Sequence, residues 1–359
     1  MLSTNEALFW KKKEFASFIL SVLVFFIHTS SFARYVDADG FVSLFNEKAE
    51  FVLKNAVTRF AVPMFFILSG ISFFRGYDNS KYFAKIRSRI FTLVIPYLIW
   101  NTIWMVFEIA CSYTFLSSFF AGREPFALTS VNILKGIFFY QYNVPFWFVL
   151  DLIIFSLAAP LVHLLVRNKY IGIASIGLFA ILADFGVEIP ASIFYYPLSI
   201  VFFLMGALIG EHYFDLATRR SKKETRYFSA IFLVTYIVLK TLFPDQQHPL
   251  KTLSQVVVFA LAAFSLWNII DTFAGKLKPR KIYSRSFAIY AMHFNIATVM
   301  TSLVFLCLPK NGWMALPNFV ITVLLTLILI NFICSFLEKN LPKVYSILMG
   351  NRLRRNKNT

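Results

Sequence analysis

The run Ser17 to Ser31 (SFILSVLVFFIHTSS) is apolar almost throughout and ends on His28, Thr29, Ser30 and Ser31. An imidazole near the far end of an oily helix costs free energy unless it faces a cavity or a partner, which makes His28 a candidate functional residue. Its chemistry is proton transfer or nucleophilic attack. Four further ionisable residues, Arg59, Glu108, Asp151 and Asp184, fall with His28 in the outer halves of the expected helices. If those helices are neighbours, they enclose a polar cavity that opens outward. In it Asp151 could orient an imidazole, and Arg59 could stabilise an oxyanion. Glu108 and Asp184 lie near helix ends and read more simply as interfacial. His163 and His212 border charged inner segments and His248 lies in an outer loop, so these three read as solvated or interfacial.

A second group is cationic. The stretch KIRSRI puts Lys85 and Arg89 on one helical face, with Arg87 turned away. Such a cluster is either a topology signal or a patch for a phosphate-bearing ligand, for which arginine offers paired donors. A third group is aromatic: YQYNVPFWF supplies Tyr140, Tyr142, Phe146 and Trp147 at the outer boundary, as an interfacial belt or as a stacking wall for a sugar ring. Tyr290 and His293, in the inner half to middle of a later helix, complete the candidate substrate contacts with Tyr142 and Trp147. No P-loop, GxSxG, HExxH or GxGxxG motif is present. Cys111, Cys307 and Cys334 form neither a framework nor a metal spacing, so no metal is expected. Cys111 and Cys307 both fall on the outer side and read as unpaired thiols, with a disulfide as the alternative.

The elements that must position these residues are membrane helices. With 359 residues, 58% hydrophobic, 15% charged and a mean hydropathy of +0.67, the chain is not a soluble protein with one core. Its apolar runs of roughly 17 to 22 residues suit helices crossing a hydrocarbon layer of about 30 Å. Their continuity excludes the alternating strands of an outer-membrane barrel. The fold class is therefore all-α, polytopic, with about ten transmembrane helices and cytoplasmic N- and C-termini. The expected spans start near residues 15, 57, 90, 145, 170, 195, 228, 253, 286 and 316. A short cytoplasmic segment (1–14) precedes the membrane domain (15–340), and a basic tail (341–359) follows it. The first run lacks a small-x-small cleavage site and reads as a retained span. The net charge of +17 sits in short clusters between spans, the positive-inside pattern of a multi-pass protein of the cell (inner or plasma) membrane rather than a nucleic-acid footprint. No internal repeat is visible.

Several stretches in order, VTRFAVPMFFILSGISFF, FAKIRSRIFTLVIPYLIW, VPFWFVLDLIIFSLAAPLV, FFLMGALIG and SFAIYAMHF, together resemble the integral-membrane acyltransferase family 3. The resemblance covers about residues 15–340. It implies a ten-helix domain that O-acylates sugars or other cell-surface molecules. No cofactor stays bound; acyl-CoA, most commonly acetyl-CoA with succinyl as an alternative, arrives from the cytoplasm as donor. The acceptor is a glycan or lipid-linked sugar on the outer side. His28 matches the family's first-helix histidine and is the implied catalytic residue, with Arg59 and Asp151 as candidate helpers. Arg87 and Arg89, with Lys85 nearby, match its basic pair as an acyl-CoA site. Many members carry an arginine eleven residues before the histidine; here that position is Ser17. The partners implied are donor, acceptor and membrane lipids. A reading from another class is a transporter or flippase of a sugar-linked lipid or organic anion, which would use the same cavity and patch; the missing repeats favour the enzyme.

Overall fold

The computed structural model describes residues 4–29, 32–35, 40–114, 117, 129–185, 198–243, 251–274 and 280–350. Ser30, Ser31, His248 and residues 351–359 of the basic tail lie outside the described residues. Every regular element among the described residues is helical.

Helix α1 (Thr4–Thr29) runs unbroken through the triple lysine, because no glycine or proline interrupts it. The boundary expected at residue 15 therefore lies inside one helix. After a short 3₁₀ turn, α2 (Phe41–Phe51) passes through a π-helical turn, Val52–Val57, into α3 (Ala61–Phe74). Helix α4 (Tyr82–Arg89) passes through a second π-helical turn, Ile90–Val94, into α5 (Ile95–Ser112). Pro96 explains the second irregularity: it has no N–H to give to the preceding turn, and the helix widens there. Both spans consequently start earlier than the apolar runs suggest.

Helix α6 (Ser130–Phe138) is capped by Thr129, whose hydroxyl accepts from the Asn132 N–H. Helices α7 (Trp147–Leu157) and α8 (Ala159–Val166) meet at a 72° bend, with Pro160 just beyond it. Then come α9 (Lys169–Asp184), α10 (Ser199–His212), α11 (Phe214–Thr218), α12 (Lys223–Leu242), α13 (Lys251–Ala274), α14 (Lys281–Ser284), α15 (Ser286–Cys307), α16 (Ala315–Asn340) and α17 (Pro342–Leu348).

Helices stand at all ten expected span positions: α1, α3, α5, the α7/α8 pair, α9, α10, α12, α13, α15 and α16. Six helical stretches among the described residues are long and apolar enough to cross a membrane, or seven if the bent pair counts as one span. The remaining three fall short for physical reasons. Lys11, Lys12, Lys13 and Glu14 occupy α1, while α9 with 16 residues and α10 with 14 are shorter than the roughly 20 a full crossing needs. The chain is a polytopic helical membrane protein. Cys111, Cys307 and Cys334 are all unpaired.

Two contacts fix the bundle. Helices α3 and α10 touch backbone to backbone through Gly70, Gly206 and Gly210. A Cβ added at Gly206 would collide with the Ile67 carbonyl, and one at Gly210 would sit 2.7 Å from the Ile71 carbonyl oxygen. Small residues four apart are the usual means by which membrane helices approach this closely. The second contact holds α1 among α3, α13, α15 and α16. Lys12 is fully buried, with its ammonium 2.8 Å from Asp271 of α13 and 4.2 Å from the centre of the Trp267 ring. Asp271 also accepts from the Ser221 N–H and hydroxyl, both at 2.9 Å. Arg75, at the end of α3, pairs with Glu6 of α1 and covers the Phe214 ring. Further along α1, the Ser21 hydroxyl donates to the Ser286 carbonyl at 3.0 Å.

Gly206→Val should abolish recovery of monodisperse protein in detergent. Gly177→Ala, where a Cβ meets nothing within 4 Å, should leave stability unchanged or raise it by up to about 1 kcal/mol. Lys12→Ala should lower the unfolding free energy by about 3 to 5 kcal/mol, because it strands a buried carboxylate; reversible unfolding in micelles measures it.

Candidate active site

His28 occupies the last turn of α1, half-buried, where Phe25 and Thr29 turn inward and the Thr29 hydroxyl donates to the Phe25 carbonyl at 2.8 Å. Its ring meets α15. The centroid of the His293 ring lies 5.5 Å away at a 42° tilt, and that of the Phe294 ring 5.2 Å away, nearly perpendicular. His293 is fully buried. Its Nδ1 lies 3.0 Å from the Ile289 carbonyl and 2.9 Å from that of Tyr290, so this nitrogen carries the hydrogen and donates. Nε2 then bears the lone pair, and it has no hydrogen-bond partner.

One turn earlier on α15, Tyr290 donates its hydroxyl to the Pro145 carbonyl, in the turn that leads into α7. Its ring stacks on Phe146 (5.7 Å, 6°), which in turn stacks on Tyr97 (5.8 Å, 19°). Asn295 reaches the same turn, donating to the Tyr142 carbonyl at 2.9 Å. The sequence YQYNVPFWF is thus clamped against α15 by two side chains five residues apart, and Phe146, one of the rings that could have formed an open sugar wall, is taken up in stacking on Tyr97 and Tyr290. Asn143 is wholly buried in this turn, and neither atom of its amide has a partner. Trp147 is half-buried against Phe66 and Phe148.

Asp151 follows one turn into α7. It is buried, beside Ser199 of α10 and within electrostatic reach of Tyr290. The structure therefore brings His28, His293, Tyr290, Tyr142 and Asp151 into one buried neighbourhood. Arg59 stands differently: it is exposed, and its guanidinium donates to Asn55 one turn back at 2.7 Å. The cation within electrostatic reach of His28 is Lys54, on the π-helical turn packed against α1 and ion-paired with Glu50. Lys54 was not legible in the sequence as a site residue, because the π turn resets which residues face α1. Glu108 is buried in α5. Asp184 has a structural task, accepting from the N–H groups of Thr252 and Leu253 at the start of α13 (2.7 and 3.0 Å).

The basic patch follows its spacing. Lys85 donates to the Phe73 carbonyl at the end of α3, and Lys85 and Arg89 both cover the Phe73 ring (5.0 and 5.1 Å). Arg87 faces outward, exposed. Beside the patch, the Ser80 hydroxyl and N–H hold the Asp78 carboxyl below its ordinary range, and Lys81 lies 3.3 Å from it. A separate cleft of about 500 Å³ opens between α3, α10, α11 and α13, lined by Met64, Ile71, Leu216, Phe264 and Trp267 among others; no expected site residue lines it.

Tyr290→Phe should leave the Pro145 carbonyl unpaired in a buried place and cost about 1 to 3 kcal/mol, read as a lowered midpoint in thermal unfolding.

Residues 17–334 match a family model described as an acyltransferase domain. No curated protein and no solved structure matches the chain.

Proposed function

The chain belongs to the acyltransferase 3 family, and from that premise we propose that it moves an acyl group, acetyl first among the candidates, from cytoplasmic acyl-CoA to a hydroxyl of a cell-surface glycan or its lipid-linked precursor. The observation that carries this reading is the setting of His28: a half-buried ring on the last turn of an apolar helix, with a second, fully buried imidazole behind it.

In the proposed reaction His28 takes the proton of the acceptor hydroxyl as the oxygen attacks the thioester carbonyl. The tetrahedral intermediate collapses, the carbon–sulfur bond breaks, and the imidazolium returns its proton to the leaving thiolate. An order in which the imidazole accepts the acyl group first and passes it on uses the same residues. Lys54, rather than the exposed Arg59, supplies positive charge near the ring for the developing oxyanion. Asp151 acts at one remove, through Tyr290. At the other end of α3, Arg87 receives the phosphates of CoA, while Lys85 and Arg89 hold α4 against Phe73 and add positive field. Trp147, Tyr142 and the buried Asn143 amide border the acceptor.

Purified protein should transfer label from acetyl-CoA to isolated surface glycan. His28→Ala should reduce transfer by about 10² to 10⁴-fold, the usual worth of a positioned general base, with yield and melting unchanged. Wild-type rates from that variant, or movement of unmodified glycan without transfer, would sink the assignment. Arg87→Ala should raise KM for the donor by about tenfold, as expected for one lost charge-assisted hydrogen bond, and leave kcat near wild type.

A further inference from the structure

His293 fits poorly as a substrate contact, because it is fully buried and held from three sides. Its Nδ1–H is shared between two backbone carbonyls of its own helix, which fixes the tautomer. The rings of Phe25 (5.6 Å) and Tyr290 (6.1 Å) flank it, which fixes the plane. What remains is the Nε2 lone pair, buried and without a partner. A buried acceptor left unpaired costs about 1 to 3 kcal/mol, so its persistence asks for a use. The Tyr290 hydroxyl is committed to Pro145 and cannot serve it. His28 is the polar ring alongside, 5.5 Å away centre to centre; no hydrogen bond joins the two rings in this structure, and a rotation of the half-buried His28 ring brings its N–H toward Nε2.

We propose that His293 is a positioning residue for the acyl-transfer reaction: its Nε2 accepts the N–H of His28 and fixes the His28 tautomer, so that the opposite ring nitrogen presents its lone pair to the acceptor hydroxyl. This rests on the reading of His28 as the base. During transfer His28 gains the acceptor proton on the outward nitrogen and keeps its inward N–H, now pointing at a neutral acceptor instead of a carboxylate. The charged and titratable groups around the pair are Lys54 from the π-helical turn with Glu50 from α2, Tyr290 from α15 and, beyond it, Asp151 from α7.

The chain holds five histidines, few enough for nitrogen-15 histidine spectra of the full-length protein in micelles, assigned by single replacements. In the wild type His28 should show one neutral tautomer. In His293→Phe both tautomers should appear, and kcat should fall by about 10- to 100-fold, the range for groups that orient a reacting imidazole, with KM for donor and acceptor within about twofold. His293→Gln, whose amide oxygen replaces the acceptor, should recover most of the single-tautomer signal and about tenfold of the rate.

A wild-type spectrum with both tautomers overturns the proposal without any variant. So does a folded His293→Phe that keeps one tautomer, or a glutamine variant that behaves like phenylalanine. The tautomer readout needs no turnover, so it stands even if no acyl transfer is detected, and a failure of the wider reading is distinguishable from a failure of this one.

Discussion

A lysine buried against an aspartate governs where the rest of the molecule can stand. Lys12 and Asp271 have been taken out of water together, and each is tolerable there because the other is 2.8 Å away, with Ser221 and the Trp267 ring beside them. Their helices lie far apart in the chain, so the pair joins α1 to α13. With the Arg75–Glu6 contact and the Ser21 bond to Ser286, it leaves α1 little freedom to slide. About 16 residues separate Lys12 from His28, or roughly 24 Å of helix. The depth of the imidazole is thus set by an ion pair at the other end of its own rod.

The neighbourhood of His28 is built mainly from aromatic faces. Tyr97, Phe146 and Tyr290 stack in file, Phe25 and Phe294 close on the two histidines, and polar atoms are admitted where a backbone carbonyl can receive them. The exceptions are informative. His293 Nε2, the Asn143 amide and Asp151 Oδ2 are among the buried polar atoms without hydrogen-bond partners, whereas the Thr29 and Ser156 hydroxyls each return a bond to a carbonyl one turn back. Under the proposed function, those beside His28 are groups that a bound substrate can satisfy.

Much of this was legible in the sequence, because hydropathy and charge clusters report membrane crossings directly. All ten helical positions, His28 as the costly residue and the shared face of Lys85 and Arg89 can be read from residue type and spacing. Other features depend on register. The two π-helical turns rotate everything after them, so the cation that reaches His28 is Lys54 and Arg59 turns outward. Asp184 reads as an interfacial carboxylate near a helix end, and its acceptance of the N–H groups at the start of α13 is seen only in the fold. Lys12 reads as one of three topology lysines, and only its partner far along the chain separates it from Lys11 and Lys13. Apolar pattern says how deep a residue lies, and says little about which neighbour it meets.

The glycine seam between α3 and α10 has a consequence for movement during turnover. Two helices whose backbones touch cannot close further, and no substrate atom can pass between them. The seam is therefore a keel. Under the proposed function, donor and acceptor must part helices elsewhere, where side chains rather than backbones meet, as they do where His28 of α1 faces His293 of α15. If the acyl transfer proposed for His28 is right, any opening that admits substrate falls away from this seam, and its rate bounds the rate of transfer.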